Sequence, residues 1–154
     1  MLGTNIGAYV TSRFALQRTA LGAGAGGNIG ATDGTAFQRT AVRPLHISTK
    51  VVVGYKTTLA SGNTLTLTAQ LKDSPDGITY SNFGASASSV VTGLGGGPQQ
   101  VGTLELDVNL MGADKYIRPT VTPVLSASGV DTAEIFGVYI LGGGETVPPT
   151  ESAQ

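Results

Sequence analysis

The sequence predicts an all-β domain, a β-sandwich or jelly roll, and three observations carry that expectation. Two segments alternate apolar and polar residues with period two. In residues 65–72, Leu65, Leu67, Ala69 and Leu71 oppose Thr66, Thr68, Gln70 and Lys72; in residues 103–110, Leu104, Leu106, Val108 and Leu110 oppose Thr103, Glu105, Asp107 and Asn109. Such alternation describes a strand with one dry and one wet face. Six or so segments of strand character are separated by Gly-rich turns, the spacing of a sandwich with little helix. The length, 154 residues, is that of one domain able to bury roughly 68–70% of its unfolded surface. There is no cysteine, so stability has to come from packing and assembly and not from disulfides.

Taken in order, residues 1–44 read as an extended arm. Segment 12–21 fits either a short helix or a strand. The glycine-rich run at 22–30 and Ala-Thr-Asp-Gly-Thr at 31–35 form a stretch longer than most loops in compact domains, so it reads as a flexible connector or an arm ordered by a neighbour. Gln-Arg-Thr-Ala occurs at 17–20 and again at 38–41, which fits chance or two arms of one hairpin. The sandwich is expected over 45–143. Leu45, Ile47, Val51, Val53 and Tyr55 share one parity, with His46, Ser48, Lys50 and Lys56 on the other. Asp-Ser-Pro-Asp-Gly at 73–77 is rich in turn formers and joins 64–72 to 78–83 as a hairpin. The Gly/Ser-rich stretch 84–98 leaves room for one short strand at 89–92. A strand over 101–111 ends at Gly-Ala-Asp. In 115–125, Pro119 and Pro123 share parity, so both missing N–H donors lie on one side, which reads as a guarded edge strand. The run 135–141 is apolar on both faces and should be buried, as a central strand or under a partner subunit. Residues 144–154 read as a flexible tail.

Chemistry-bearing patterns are sparse. Gly22, Gly24 and Gly27 match dinucleotide-binding spacing, but that motif needs a following helix and an acid about 20 residues on; here the glycines read as a linker. Asp73 and Asp76 supply two carboxylates where a dedicated Ca²⁺ loop needs six to eight oxygens, so they read as turn residues. His46 is the one histidine and is expected on a wet strand face, without the partners that general-base or zinc chemistry uses. Neither Gly-x-Ser-x-Gly nor Ser-x-x-Lys occurs. Tyr80 and Phe83 are the candidate pair for stacking on a sugar, with core packing the plainer role. Aromatic and basic residues are too thinly interleaved for a single-stranded nucleic-acid groove. These observations point to a non-enzymatic protein without cofactor or metal, and to no direct nucleic-acid partner. No run of 18 apolar residues occurs, so no membrane span is expected, and the N-terminus lacks the pattern of a secretory leader.

Charge is asymmetric. Residues 1–60 hold six Lys or Arg and one acid; residues 61–154 hold three and nine. Such a division suits complementary contacts between subunits or with an acidic partner, or simple mixing on the folded surface. The candidate contact residues are therefore Arg13, Arg18, Arg39 and Arg43 on the basic side and Glu105 and Asp107 on the acidic side.

Two stretches resemble a known family. Residues 69–80, Ala-Gln-Leu-Lys-Asp-Ser-Pro-Asp-Gly-Ile-Thr-Tyr, have the strand–turn–strand form of small head proteins of tailed bacteriophages. Residues 114–143 resemble the end of the same proteins, with a Tyr-x-Arg strand, a Ser/Gly turn and an apolar strand closing in Gly-Gly. The similarity runs over 45–143 in order and style and does not cover the arm. It implies a jelly-roll capsid decoration, or cement, protein: a homotrimer whose partners are the major capsid protein and copies of itself, located on the outer surface of the virion and assembled in the host cytoplasm. A tail, neck or head-fibre component is the alternative within virions. A carbohydrate-binding module is the alternative outside them.

Overall fold

The computed structural model describes residues 10–39 and 46–142. Nine strands make up the regular structure of these residues: β1 (Val10–Gly22), β2 (Thr32–Asp33), β3 (Phe37–Gln38), β4 (Ser48–Thr58), β5 (Thr64–Ser74), β6 (Ser81–Thr92), β7 (Gln99–Asn109), β8 (Tyr116–Leu125) and β9 (Thr132–Gly142). They form two antiparallel sheets. The first has the order β1-β9-β4-β7; the second has β2-β8-β5-β6, with β3 pairing β8 beside β2. The chain passes between sheets at nearly every connection, staying within one only at β2–β3 and β5–β6. This is the wiring of a jelly roll, the fold class expected from the alternation.

The dry faces meet between the sheets. Val51 and Val53 of β4, Leu104 and Leu106 of β7, and Ile135, Tyr139 and Leu141 of β9 face Leu65, Leu67 and Leu71 of β5 and Ile117, Val121 and Leu125 of β8. All are buried, and each large apolar side chain removed from water stabilises the fold by roughly 1.5–3 kcal/mol. The Tyr139 hydroxyl lies inside this core and donates to the Thr35 carbonyl at 3.1 Å. Burial pushes its pKa upward, so it stays a neutral donor.

Several expectations are revised. Residues 10–39, read as part of an arm, belong to the sandwich. The segment 10–22 is a 13-residue strand paired along its length with β9. Bulges after Phe14 and Leu16 turn Ala15 and Leu16 inward together, which erases the alternation that would have marked a strand. The glycine run does not act as a linker at its start. Gly22 bonds back to Gly27, its amide donating to the Gly27 carbonyl at 2.8 Å. Gly22 has φ +97°, and a Cβ there would lie 2.0 Å from the Asp131 carbonyl oxygen, so only glycine fits. The two Gln-Arg-Thr-Ala copies are not arms of one hairpin: 17–20 lies in the first sheet, while Gln38 lies in the second.

The stretch 84–98 contributes far more than a short strand at 89–92. Residues 81–92 form one strand paired with β5. Its register slips between Gln70 and Leu71, where Gly84 takes φ +72° and the Gln70 amide donates to the Phe83 carbonyl at 3.0 Å. β8 is not an edge strand. It pairs fully with β5 on one side, and on the other it meets β2 and β3. The parity argument survives in altered form: the Pro119 carbonyl accepts from the Gly34 amide at 2.7 Å, so the proline side faces the irregular 32–38 segment, where few ladder bonds are required. β9 is central, as its composition suggests, but only one of its faces is buried. Phe136 is 52% exposed and Val138 36%. His46 is buried, not on a wet face, with its ring 6.4 Å from that of Phe37. The expected tail over 144–154 lies outside the described residues.

Candidate interaction face on the first sheet

The outer face of the β1-β9-β4-β7 sheet is the feature of this fold most suited to a function. Register puts Phe14, Val138 and Val52 in one row across three strands. Ile140 lies one step along β9 from Val138 and Phe136 lies on the other side of it. Phe136 faces Gly54 across the β4–β9 pair. A Cβ at Gly54 would sit 2.3 Å from the Phe136 ring, so the ring lies flat on the sheet because glycine leaves it room. Val101, opposite Lys56, extends the apolar surface and is 73% exposed, with Phe14 at 56%. Val52, Val101, Phe136 and Val138 line a shallow groove together with Gly54 and Thr103. A contiguous apolar surface on a strand face that otherwise meets water makes this face the candidate for an interaction site.

Charged side chains flank this surface at two diagonally opposed corners. At the β4–β7 corner, the Lys50 ammonium donates to Glu105 at 2.6 Å and to Asp107 at 3.1 Å. The carboxylates hold the Lys50 pKa above its ordinary value. At the other corner, the Arg18 guanidinium donates through Nε to Glu134 at 3.2 Å and forms a second bond through Nη2. This hydrogen bond holds the Glu134 carboxyl below its usual range and raises Arg18. Lys56, paired in register with Glu134, adds to the lowering. Exposed pairs of this kind contribute little to stability; their effect is on the potential of the face. The first corner has two carboxylates for one cation, the second two cations for one carboxylate.

The outer face of the second sheet differs. Thr66, Thr68 and Gln70 of β5 lie between Ser86, Ser88 and Val90 of β6 and Thr120, Thr122 and Val124 of β8. At its end, Asp33 is 2.7 Å from Arg118 and 3.6 Å from Lys72. Desolvation raises the Asp33 pKa, but the Thr120 hydroxyl and the two cations outweigh it and hold the carboxyl low. Arg118 also stacks on Tyr80, 4.0 Å from the ring centre. Phe83 packs against the core instead, so Tyr80 and Phe83 do not form a stacking pair.

The candidate contacts therefore fall in different places. Arg18, Glu105 and Asp107 lie on the first-sheet face, each already ion-paired within the chain. Arg13 lies opposite Tyr139 on β1, with its guanidinium 6.0 Å from the Phe37 ring centre. Arg39 is a brace. It donates to the carbonyls of Asp114 at 2.8 Å, Ala113 at 2.6 Å and His46 at 3.4 Å. Arg43 lies outside the described residues. Basic residues of the first part of the sequence thus pair with acids of the second part within one chain, so part of the charge asymmetry mixes on the folded surface. The Asp-Ser-Pro-Asp-Gly turn is self-contained: Asp76 accepts from the amides of Ile78 and Thr79, at 2.8 and 3.0 Å, and from the Ser74 hydroxyl at 2.8 Å. These bonds, that from Ile78 foremost, hold Asp76 low. Asp73 accepts from the Asp114 amide at 2.9 Å, tying together the two stretches that carry the family resemblance.

No family model and no curated protein sequence matches the chain. Among solved structures, it is similar to that of the infectious bursal disease virus Gx strain, at 13% identity and a TM-score of 0.47, covering 92% of this chain and 34% of that one. It is also similar to the Clostridium thermocellum xylanase 10B CBM22-1-GH10 modules complexed with xylohexaose, at 15% identity and a TM-score of 0.42, covering 96% and 28%. A third is Eiger TNF from S. frugiperda, at 8% identity and a TM-score of 0.37, covering 94% and 98%. The chain spans about a third of the length of the first two. Likenesses this distant carry nothing about the role of this chain, which rests on its own surface.

Proposed function

We propose that this protein is a virion structural protein that decorates the head of a tailed bacteriophage and stabilises it by bridging capsid subunits. The observation that carries the reading is the open apolar face of the first sheet, flanked by charge and held on a rigid jelly roll. A cement protein works through area and complementarity, and many copies multiply weak contacts through avidity. The resemblance of 69–80 and 114–143 to phage head proteins supplies the setting: the outer surface of the virion, assembly in the host cytoplasm, the major capsid protein as partner, and self-association as a homotrimer. In this reading the protein has no enzymatic activity.

The test is co-sedimentation of the purified protein with undecorated heads at moderate salt. Binding to heads is expected, and failure to co-sediment overturns the proposal. Truncation locates the contact. Removing residues 1–30 would delete all of β1 and open the core, so the informative truncation stops at residue 9. Reduced head binding with an unchanged melting temperature assigns the contact to those residues; unchanged binding assigns it to the sandwich.

A further inference from the structure

We infer that the outer face of the β1-β9-β4-β7 sheet is a two-fold interface, and that its occupant is the same face of a second copy of this chain. The inference rests on the reading of that face as an association surface and assigns it to the self-association within that reading, so that contact with a head falls to other surfaces of the assembly.

Three features lead to a second copy. The first is the apolar centre. Phe14, Phe136, Val138 and Val101 are between 36% and 73% exposed, so each aromatic ring still offers a partner about half of the roughly 150–250 Å² that such a side chain buries. The second is size. Four strands about 4.8 Å apart, rising about 3.3 Å per residue over some eleven residues, present a face of about 700 Å². A stable, specific interface needs about 800 Å² from each partner, so one sheet face against its copy is of the right extent.

The third is charge. The Lys50–Glu105–Asp107 corner has one excess negative charge, and the Arg18–Lys56–Glu134 corner has one excess positive charge. The apolar centre lies between them. A two-fold axis in the plane of the face, through that centre and oblique to the strands, places each corner of one copy over the opposite corner of the other. An isologous contact demands a surface complementary to itself, and this arrangement meets the demand. The opposed corners fix the orientation, while the apolar centre supplies most of the affinity. A contact of this kind gives a dimer on its own, or a hexamer when combined with a three-fold contact.

Sedimentation equilibrium of the full chain, over a wide concentration range, tests this. The expected mass is an even multiple of the chain mass. Phe136→Asp should halve the assembly while the far-UV circular dichroism stays unchanged. Because that variant touches the sheet, a charge exchange provides a second route. Glu105→Lys with Asp107→Lys places like charges over each other and should weaken the contact by about tenfold or more. Adding Arg18→Glu and Lys56→Glu to the same chain should restore it. A monomer at all concentrations, an odd-numbered assembly, an even-numbered assembly that Phe136→Asp leaves intact, or a charge exchange without rescue overturns the inference. Head binding is scored separately: a chain that dimerises but ignores heads refutes decoration only, and one that binds heads as a monomer refutes the interface only.

Discussion

The two outer faces of this sandwich are built from main strands of similar length and the same pleat, yet hydroxyl side chains dominate the second, where Val90 and Val124 are the exposed apolar exceptions, and apolar side chains the first. On the second sheet, Thr66, Thr68, Thr122 and Ser88 place hydroxyls side by side, and Thr68 and Ser88 are bonded to each other at 3.3 Å. On the first, Phe14, Val138, Val52 and Phe136 occupy equivalent positions. Folding alone does not require this, since a one-sided core leaves the outer face of an antiparallel sheet free to be polar. The difference teaches that the core between the sheets builds the scaffold, while the first-sheet face is available for association.

The strongest way to break the comparison is to remove what both faces share. Leu67 is fully buried between the sheets, and Leu67→Ala should lower stability by about 2–5 kcal/mol. A thermal melt followed on both sheets should show one transition moving down. Tyr139→Phe should cost less, about 1 kcal/mol, because it removes one hydrogen bond and strands the Thr35 carbonyl. Differential scanning calorimetry measures both losses, and equal effects would mean that the hydroxyl does more than anchor 32–38.

Acid distinguishes the faces electrostatically. Asp33 on the second sheet and Glu134 on the first both have pKa values held below their ordinary 3.8 and 4.5. A folded-state pKa below the unfolded one gives stability that is present above the unfolded value and lost as pH falls through the folded value. Melting temperature should therefore fall below about pH 4. Asp33→Asn should flatten that fall more than Glu134→Gln, since Asp33 answers a hydroxyl and two cations while Glu134 answers Arg18 and, more weakly, Lys56. Equal flattening in a titration of melting temperature against pH would remove the distinction.

Much of this fold is legible in the residues. The β5 and β7 alternations give the core directly, because Leu65–Leu67–Leu71 and Leu104–Leu106–Val108 must share a side. β1 is illegible for a physical reason: its two bulges put Ala15 and Leu16 on the same side, and no period survives. β6 is hidden by its glycine and serines, whose strand form comes from pairing with β5 and not from propensity. The interaction face is half legible. Parity places Glu105 and Asp107 outside, and Lys50 on the wet side of β4, but their meeting depends on register. Phe136 and Val138 are apolar on a strand that is apolar on both sides, so the sequence cannot say which side stays open. The bracing role of Arg39 escapes the sequence, because two of the three carbonyls it reaches come from the distant positions 113 and 114.

The smallest expected effect gives the sharpest comparison. Phe136→Thr gives the first sheet the residue type that fills the second. The ring lies on Gly54 and is half open to solvent, so its loss removes contact with one strand and leaves the core untouched. The β propensity of threonine keeps the strand itself satisfied. In dilute solution, where the chain is dissociated, chemical denaturation should register a change within about 0.5 kcal/mol. At high concentration, any stability gained by mass action from association should disappear with the ring. Wild-type and variant midpoints should therefore coincide at low protein concentration and separate as it rises. Midpoints that stay parallel at all concentrations would show that the face contributes to folding as the other face does, and the contrast between the two sheets would have no functional content.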